Sequence, residues 1–355
     1  MARTKRDKMK ILHVITRSVL GGPETIVINI GNSMCKDHNV GVVAGEDGPM
    51  WDALDLRIEK IKIKEIVRHI SPLNDFIAFI KLKKVYETFK PDVIHLHSSK
   101  VGVLGRLVFP KDKIVYSVHG FDSIRLAYRK FLPVEKALKK KCKAIVLASN
   151  YDKQNMINEG ILSNLHVIYN GVYAPRREVG IFIEGTEKYE KIVMCIARIA
   201  PQKRFESFIE IAKLLPQYAF VWIGADREYK NFPDNVFCIK GFPNAQRYIQ
   251  LADIFVLPSN YEGVPIVIID ALSYGKPVVS SDVGGISEIV LNDVNGYVVS
   301  NNNSLFSEKI RYILENDSVY RKFSENSIKI FNDCLTIEKM LDGYMRIYQD
   351  IIHSK

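Results

Sequence analysis

Two carboxylates eight positions apart, Glu262 and Asp270, stand in the apolar stretch NYEGVPIVIIDALSYGKPVV at residues 260–279. A buried carboxylate is costly unless it has a partner. Pro265 can begin a helix that places Glu262 at its entrance and Asp270 about one and a half turns further along. The free N–H groups of that entrance belong to Gly263, Val264 and Ile266. Carboxylates accept from vicinal hydroxyls and backbone donors bind phosphate oxygens, so this pattern favours a phosphorylated, polyhydroxylated ligand. A helix-dipole residue followed by a lysine-paired carboxylate is the alternative.

A second candidate site follows the strand predicted at 191–198, in ARIAPQKRFESFIEIAKLL. Arg198 and Lys203 flank a turn that leads into a helix. Two fixed cations at such a turn suit a diphosphate, because arginine presents a planar fork and lysine a point charge. A solvated basic turn is the alternative.

A glycine pair follows the first predicted strand, in TRSVLGGPETIVINI. Gly21 and Gly22 allow a ligand to approach the backbone closely, and Pro23 suits the first turn of a helix. The N-terminus of that helix would present N–H groups to an anion. The chain has neither G-x-G-x-x-G nor a P-loop lysine, which argues against nicotinamide and Walker-type ATP binding. An ordinary glycine-rich turn remains open.

Three histidines occupy the ends of predicted strands. His119, followed by a glycine in SVHGFD, is a candidate polar contact or proton-transfer group, and a structural role is the alternative. His95 and His97 have the spacing of one strand face. No Asp or Glu accompanies them as a third ligand, so we predict no metal site and interpret both as structural or cleft-lining.

Short β-branched runs alternate with amphipathic stretches in both halves of the chain. This alternation predicts two doubly wound α/β units with parallel sheets, whose ligands bind at the carboxyl ends of the strands. The predicted strands are 10–16, 40–45, 92–97, 113–119, 144–149 and 165–171, then 191–198, 219–224, 236–241, 253–258, 277–281 and 296–299. The predicted helices include 23–34, 73–89, 126–141, 150–158, 265–272 and a terminal helix within 336–355, and 173–191 is the predicted linker.

The bulk composition is that of a folded protein, with 47% hydrophobic and 25% charged residues among 355. No run reaches the roughly 18 to 20 apolar residues that span a bilayer. The charged start MARTKRDKMK is not followed by an apolar signal segment, so we expect no secretion. Five cysteines without C-x-x-C spacing indicate a reducing cytoplasm and neither disulfides nor a zinc site.

The net charge of +10 is concentrated in the first half. Residues 1–178 hold 31 Lys and Arg against 18 Asp and Glu, whereas residues 179–355 hold 19 against 22. Within 125–144 the candidates for contact with a membrane or an acceptor are Arg129, Lys130, Lys139, Lys140 and Lys141. Interleaved apolar residues make this stretch a candidate for an anionic membrane surface. A solvated helix face is the alternative, and the absence of a stacking motif or known module argues against nucleic acid.

Together these segments resemble glycosyltransferase family 4, retaining enzymes of the GT-B fold. The resemblance rests on GGPE, SVHG, VIYNGV, ARIAPQK, NYEGVPIVIIDALSYGKPVVSSDVGGISEIV and NGYVV, and it covers nearly the whole chain. It implies two Rossmann-like doubly wound domains that face each other across a cleft. The implied domains are 1–176 on the acceptor side, with 336–355 packing back on it, and 177–335 for the nucleotide-sugar donor.

The resemblance also implies a role for each candidate residue. Arg198 and Lys203 would clamp the donor diphosphate, and Asp270 would hold the ribose. Glu262 would hold sugar hydroxyls and the diphosphate, together with the segment 263–266, in which Pro265 lies between the N–H donors Gly263, Val264 and Ile266. Gly21 and Gly22 would approach the phosphates, and His119 would contact the transferred sugar. No metal or cofactor would be needed, because the cations and helix dipoles neutralise the departing phosphates.

The chain departs from the family pattern at two positions. Asp270 stands where the family usually has Glu, and Ala197 stands where the phosphate turn usually has glycine. The leading hypothesis is a cytoplasmic UDP-sugar transferase for surface polysaccharide or glycolipid, with a glycan or lipid-linked acceptor. A GT-B nucleotide-sugar epimerase and a catalytically silent GT-B partner subunit are the alternatives. The sugar, the acceptor and the linkage are not encoded in a motif.

Overall fold

The computed structural model describes residues 8–353. The chain divides into two compact units. Unit 1 holds the residues up to Tyr169 together with those from Glu338 onward, and unit 2 runs from Asn170 to Ile337. No helix among residues 8–353 is long and apolar enough to cross a bilayer.

Unit 1 is built on a seven-stranded sheet in which every neighbouring pair is parallel. Its strands are β1 (Lys10–Ile15), β2 (Asn39–Ala44), β3 (Glu59–Lys62), β4 (Val93–His97), β5 (Ile114–Val118), β6 (Ala144–Leu147) and β7 (Leu165–Val167). Its helices are α1 (Gly22–Met34), α2 (Met50–Ala53), α3 (Pro72–Phe89), α4 (Ser99–Val108), α5 (Leu132–Leu138) and α6 (Asn150–Asn158). The strand order β3-β2-β1-β4-β5-β6-β7 reverses direction between β1 and β4, so the loops after these two strands diverge.

Unit 2 repeats this architecture with six parallel strands in the order β10-β9-β8-β11-β12-β13. Its strands are β8 (Ile192–Ile196), β9 (Ala219–Ala225), β10 (Val236–Lys240), β11 (Ile254–Leu257), β12 (Val278–Ser281) and β13 (Gly296–Val299). Its helices are α7 (Phe205–Lys213), α8 (Ile266–Ser273), α9 (Asn303–Glu315) and α10 (Asp317–Cys334). The order reverses between β8 and β11, whose following loops carry the candidate donor-binding residues.

The last helix, α11 (Ile337–His353), begins at the end of unit 2 and continues into unit 1. Its buried Tyr348 hydroxyl lies 2.7 Å from His95 Nδ1, and its buried Tyr344 hydroxyl lies 3.1 Å from Ser117 Oγ. The helix therefore shares its buried phenols with polar side chains of β4 and β5.

All twelve predicted strands are present, and their ends differ from the prediction by a few residues. The helix predicted over 126–141 is broken into a π-helical turn at Ser123–Ala127, a 3-10 turn at Arg129–Phe131 and α5. Pro133 lies in the first turn of α5. Proline lacks an N–H and clashes with the preceding turn, so one continuous helix cannot run through this position.

A buried ion pair attaches α5 to α4. Arg106 Nη2 lies 2.6 Å from Glu135 Oε2, and both residues are almost fully buried. Tyr116 donates to the other carboxylate oxygen at 3.2 Å, and the guanidinium stacks 4.3 Å from the centre of the Tyr116 ring. The single acid of the basic stretch 125–144 is thus an internal anchor, and it does not offset the surface charge of that stretch.

Candidate functional site

The loops that follow β8 and β11 meet at an ion pair between Lys203 and Glu262. The Lys203 ammonium contacts the Glu262 carboxylate, and the side chains are only 15% and 8% exposed. The alternative left open by the sequence was that some lysine pairs with the carboxylate inside the helix, Asp270. The structure instead pairs Glu262 with the lysine that was predicted to bind a diphosphate, so these two candidate groups neutralise each other.

Three hydrogen bonds fix these two loops to each other. Gln202 Nε2 donates to the Tyr261 carbonyl at 2.8 Å, and Asn260 Nδ2 donates to the Pro201 carbonyl at 2.9 Å. The Asn260 N–H donates to the Gln202 carbonyl at 2.8 Å. The relative position of the lysine and the glutamate is therefore set by backbone and amide contacts on both sides of the pair.

Two residues that the sequence did not single out, Asn170 and Gly284, lie against the loop that carries Glu262. Asn170 is buried, and its Nδ2 donates to the Val264 carbonyl at 3.0 Å. Gly284 has φ +62, and a Cβ there would lie 2.2 Å from the Glu262 carbonyl oxygen, so only glycine fits. Both lie in segments on which the family resemblance rests, VIYNGV and SSDVGG. Membership in these segments is the feature of the sequence that could have identified them.

Helix α8 leaves its first N–H groups without an intrahelical acceptor, as every α-helix does. Pro265 precedes the helix in an extended conformation and provides no side-chain cap. Val264 and Ile266 are buried, whereas Gly263 is partly exposed. The entrance next to Glu262 therefore offers backbone donors within one helical turn of a carboxylate.

Asp270 lies in the middle of α8, between apolar neighbours. It is partly exposed, and its carboxylate has no hydrogen-bond or ion-pair partner among residues 8–353. The surrounding protein withdraws water from the carboxyl group and raises its pKa to about 7. An accessible carboxyl group without a protein donor is suited to accept hydrogen bonds from ligand hydroxyls.

Arg198 is exposed and has no ion-pair or hydrogen-bond partner in the described part of the chain. The turn that carries Arg198 has Ala197 where the family usually has glycine. A glycine in the neighbouring strand, Gly224, allows the two backbones to lie close together instead. Gly224 has φ +132, and a Cβ there would lie 2.3 Å from the Ala197 carbonyl oxygen. The alanine is accommodated because the neighbouring strand β9 ends in glycine and alanine.

On unit 1, Gly21 and Gly22 lie where β1 leads into α1. Gly21 has an extended conformation (φ −151°) that any residue can adopt. A Cβ at Gly21 would lie 2.7 Å from Glu24 Oε2, so the glycine leaves room for that carboxylate. Thr25 donates its hydroxyl to the Gly21 carbonyl at 2.9 Å, which closes the first turn.

His119 follows β5 and is partly exposed, and Gly120 makes the sharp turn after it with φ +99. Burial lowers the pKa of His119 to about 4, so the imidazole is neutral at pH 7. A neutral ring donates with one nitrogen and accepts with the other. His119 is therefore suited to hydrogen bonding and poorly suited to carry a positive charge.

The structure supplies the third histidine that the sequence did not place beside His95 and His97. A nitrogen of His13, on β1, lies within 4.8 Å of a nitrogen of each of them. Both His95 nitrogens already have partners, the Tyr348 hydroxyl and the Ser117 hydroxyl, each at 2.7 Å. The cluster is therefore organised by hydrogen bonds, and a metal would have to displace them.

The five basic candidates of 125–144 do not act as one charged face. Arg129 pairs with Glu159 at 3.0 Å, and Lys139 donates to the Gly160 carbonyl at 2.8 Å. Lys140 and Lys141 are exposed and have no ion-pair partner in residues 8–353. Lys130 is exposed and lies over the Phe131 ring, and the large apolar side chains exposed nearby are Leu126, Tyr128 and Val134.

A cavity of about 420 Å³ in unit 2 lies apart from these loops. Its lining includes Ile192 and Asp253, at the amino ends of β8 and β11. Ligands of doubly wound sheets bind at the carboxyl ends of strands, so this cavity is on the wrong edge for the candidate site.

Comparison with family models assigns both halves of the chain. A model described as Glycosyltransferase Family 4 matches residues 20–174, and one described as Glycosyl transferases group 1 matches residues 177–330. The chain belongs to glycosyltransferase family 4. The two matches cover most of the enzyme and include every candidate site residue.

Curated relatives of this glycosyltransferase include two that act on lipid-linked acceptors. It is 27% identical, over 99% of its length and 100% of the relative, to an Escherichia coli UDP-Gal:alpha-D-GlcNAc-diphosphoundecaprenol alpha-1,3-galactosyltransferase. It is 25% identical, over 85% of its length and 90% of the relative, to a Campylobacter jejuni N,N'-diacetylbacillosaminyl-diphospho-undecaprenol alpha-1,3-N-acetylgalactosaminyltransferase. The glycosyltransferase is thus similar, along its length, to enzymes that extend glycans on a lipid diphosphate.

Solved structures show the same fold. The Anabaena HepE structure in complex with UDP-glucose superposes with a TM-score of 0.82 at 18% identity, covering 96% of this chain and 100% of that one. A sucrose-phosphate synthase from Thermosynechococcus elongatus gives a TM-score of 0.81 at 17% identity, covering 98% and 100%. The glycosyltransferase has the GT-B fold, with one Rossmann-like domain in each unit.

Proposed function

We propose that this glycosyltransferase transfers a hexosyl or N-acetylhexosaminyl group from a UDP-sugar to a lipid-linked saccharide, with retention of the anomeric configuration and without a metal ion. The observation that carries the proposal is the group of charges at the β8 and β11 loops: the Lys203–Glu262 pair, unpaired Arg198 and unpaired Asp270. Cations, backbone donors and a hydroxyl-accepting carboxylate match the parts of a nucleotide sugar. The names of the two relatives, with UDP-Gal as one donor and diphosphoundecaprenol acceptors, support the substrate classes.

Each group of the site has a distinct partner in this proposal. Arg198 and Lys203 bind the diphosphate together with the amides at the start of α8. Lys203 exchanges Glu262 for phosphate oxygens, and Glu262 is then free to accept from hydroxyls of the sugar. Asp270 accepts from the ribose hydroxyls. On unit 1, Gly21 and Gly22 approach the phosphates, and His119 contacts the transferred sugar.

Retention follows from a donor and product of the same configuration. The diphosphate of donors such as UDP-Gal is α-linked, and the relatives' names describe α-linked products. We propose that the departing phosphate accepts the proton of the attacking hydroxyl on the same face of the sugar, so no covalent enzyme intermediate forms. Coupling constants in the proton NMR spectrum of the isolated product test this, and a β-linked product would contradict it.

Metal independence rests on the two cations and the α8 amides, which stabilise developing phosphate charge without an ion. Turnover in EDTA should equal turnover in Mg²⁺ or Mn²⁺. A loss of activity in EDTA that either ion restores would contradict this part of the proposal and leave the donor class intact.

The donor assignment is tested by calorimetry with UDP and with uridine. Lys203→Ala should weaken UDP binding by about 1.5 to 3 kcal/mol, the scale of a charge-assisted hydrogen bond, and leave uridine binding nearly unchanged. Lys213→Ala is the matched control, because that lysine lies on the adjacent helix α7 and pairs with exposed Glu210. Equal losses for UDP and uridine would contradict a diphosphate role.

Incubation with UDP-sugar alone separates this function from the other two hypotheses. A transferase releases UDP slowly by hydrolysis, an epimerase interconverts donor sugars, and a silent partner subunit does neither. Addition of a lipid-diphosphate saccharide should accelerate UDP release and produce a longer glycan.

We also propose that the enzyme works on the cytoplasmic face of the membrane, with the exposed part of 125–144 against anionic lipid. Each exposed lysine near such a surface contributes on the order of 1 kcal/mol, and salt screens it. Co-sedimentation with anionic vesicles should decrease in salt and in the variant Lys130→Glu, Lys140→Glu, Lys141→Glu. The exposed stripe Leu73, Phe76 and Ile80 on α3 is the competing surface. If Phe76→Ser abolishes binding and the charge reversals do not, the basic stretch is the wrong assignment.

A further inference from the structure

Three histidines of unit 1 form a hydrogen-bonded row that runs from the protein interior to His119. His13 Nδ1 lies 3.1 Å from His97 Nε2, and His97 Nδ1 lies 3.2 Å from His119 Nε2. His13 and His97 are completely buried, whereas His119 is partly exposed. The row crosses three adjacent strands, because β1, β4 and β5 are neighbours in the sheet.

All three rings are neutral at pH 7. Burial lowers the pKa of His13 to about 3 and that of His119 to about 4, and it holds the pKa of His97 well below its usual value. A neutral imidazole has one N–H and one lone pair. Each contact in the row needs one of each, so the tautomers of the three rings are coupled, and only two arrangements satisfy both contacts.

The inner end of the row distinguishes the two arrangements. His13 Nε2 is buried and has no hydrogen-bond partner in the described structure. If every N–H pointed inward, His13 Nε2 would carry a buried N–H without an acceptor, which is rarer in proteins than an unused acceptor. If every N–H points outward, His13 Nδ1 donates to His97, His97 Nδ1 donates to His119, and His13 keeps only an unused lone pair.

We propose that His97, supported by His13, is a positioning residue that fixes His119 as the Nδ1–H tautomer, so that His119 Nδ1 donates a hydrogen bond to a substrate oxygen. Free histidine prefers the Nε2–H tautomer, so the row imposes the less common form. His119 Nε2 is occupied by His97, and Nδ1 is the ring nitrogen left for a ligand. The identity of the substrate oxygen rests on the function proposed above, whereas the tautomer does not.

A metal site at His13, His95 and His97 would use the same rings differently. Of the six ring nitrogens, only His13 Nε2 lacks a hydrogen-bond partner. A metal held by all three rings would break one contact of His95 and one of His97, and it would free His119 from the row only if it bound His97 Nδ1. The metal interpretation predicts stoichiometric zinc binding, whereas the hydrogen-bonded row predicts none.

Nitrogen-15 NMR of the full-length protein, labelled at its eight histidines, reads each tautomer directly. The His119 signals, assigned with His119→Gln, should show the Nδ1–H form in the wild type. His97→Met removes the donor and should return His119 to the Nε2–H form. His97→Asn offers an amide N–H in the place of Nδ1 and should preserve the wild-type form, and His166→Met is a control at an exposed histidine outside the row.

Kinetics add a second measurement. His97→Met should lower kcat about tenfold, the loss of one hydrogen bond to substrate, with little change in UDP affinity, and His97→Asn should retain most of the activity. An Nε2–H His119 in the wild type would overturn the proposal without any variant. Stoichiometric zinc binding that His97→Met abolishes would overturn it in favour of the metal site. If the protein bound no UDP, the proposed function would fail while the tautomer result still decided the positioning role.

Discussion

Asp270→Asn should make the unliganded enzyme more stable at pH 8 and leave its stability nearly unchanged at pH 4. The carboxyl group has a pKa of about 7 in the folded protein because its surroundings exclude water, and it has no donor in the described structure. Well below pH 3.8 the group is protonated in both the folded and unfolded states, and at pH 4 only a small part of the full cost of its burial is present. As the pH rises towards 7, the unfolded chain ionises first and the folded state loses stability relative to it.

The size of this effect follows from the two pKa values. One pKa unit corresponds to about 1.4 kcal/mol, so a change from 3.8 to about 7 amounts to about 4 kcal/mol above pH 7. Asp270 is partly exposed, and solvent reduces this value, so we expect about 2 kcal/mol of stabilisation from the neutral asparagine. The difference should grow between pH 4 and pH 7 and then remain constant.

Urea unfolding of the wild type and the variant at pH 4, 6 and 8 measures this profile. Asp282→Asn is the matched control, because Asp282 is an exposed carboxylate on the loop after β12, and it should change stability by less than about 0.5 kcal/mol. A destabilised Asp270→Asn variant, or a difference that does not depend on pH, would show that the carboxylate has an internal partner and would refute the reasoning.

With UDP bound, Asp270→Asn should destabilise the enzyme instead of stabilising it. If ribose hydroxyls donate to Asp270, UDP stabilises the carboxylate, lowers its pKa and releases part of a proton near pH 7. Calorimetry in two buffers of different ionisation enthalpy should then detect proton release for the wild type and less for Asp270→Asn, which should also bind UDP more weakly. Equal proton release by the wild type and the variant would contradict a contact between Asp270 and the ribose.

Three further substitutions test other parts of the structure. Glu262→Gln should lower kcat about 100-fold, because the sugar loses a hydrogen-bond acceptor. UDP affinity, measured by calorimetry, should stay equal or rise, because Glu262 no longer competes with UDP for Lys203. A parallel loss of kcat and UDP affinity would contradict the assignment. Glu135→Gln should cost about 3 kcal/mol in urea unfolding, since it leaves its arginine partner charged and buried, whereas Glu159→Gln, which breaks pairs with the solvent-accessible Arg129 and Lys136, should cost less than about 1 kcal/mol. Gly284→Ala should weaken UDP binding about tenfold, because the new Cβ displaces the glutamate loop. Gly180→Ala, at φ +82 with open space around it, should show the backbone strain alone, and a similar UDP loss there would exclude the steric explanation.

Sequence reasoning predicted the sheets well, because strands buried on both faces read as continuous β-branched runs. It missed β3, whose sequence EKIK is charged and mostly exposed at the edge of the sheet. It missed α4 because SKVGVLGRLV contains two glycines, which disfavour helix in isolation. Both glycines are required by packing, since a Cβ at Gly102 would lie 2.4 Å from the Tyr116 ring and one at Gly105 would lie 2.5 Å from Leu96.

The candidate site was predictable residue by residue but not as a set of contacts. Lys203 and Glu262 are 59 residues apart, and they meet because β11 pairs with β8 and not with β10. His13 and His97 are 84 residues apart and meet because β1 pairs with β4. Strand order is a property of the whole chain, and no local pattern reports it. The sequence could therefore identify the groups and miss which of them neutralise each other.

The distribution of paired and unpaired charges gives the strongest internal reason to place a ligand at the β8 and β11 loops. In the interior of unit 1, by contrast, the fold pairs Arg106 with Glu135. At these loops neither Arg198 nor Asp270 has an ion-pair or hydrogen-bond partner among residues 8–353, and Lys203 pairs with Glu262. A desolvated carboxylate without a partner costs stability, so the position of Asp270 near the carboxyl edge of a parallel sheet favours a ligand that supplies the missing donors. In the function that we propose, a UDP-sugar would supply these partners together: phosphate oxygens for the two cations, sugar hydroxyls for Glu262 and ribose hydroxyls for Asp270.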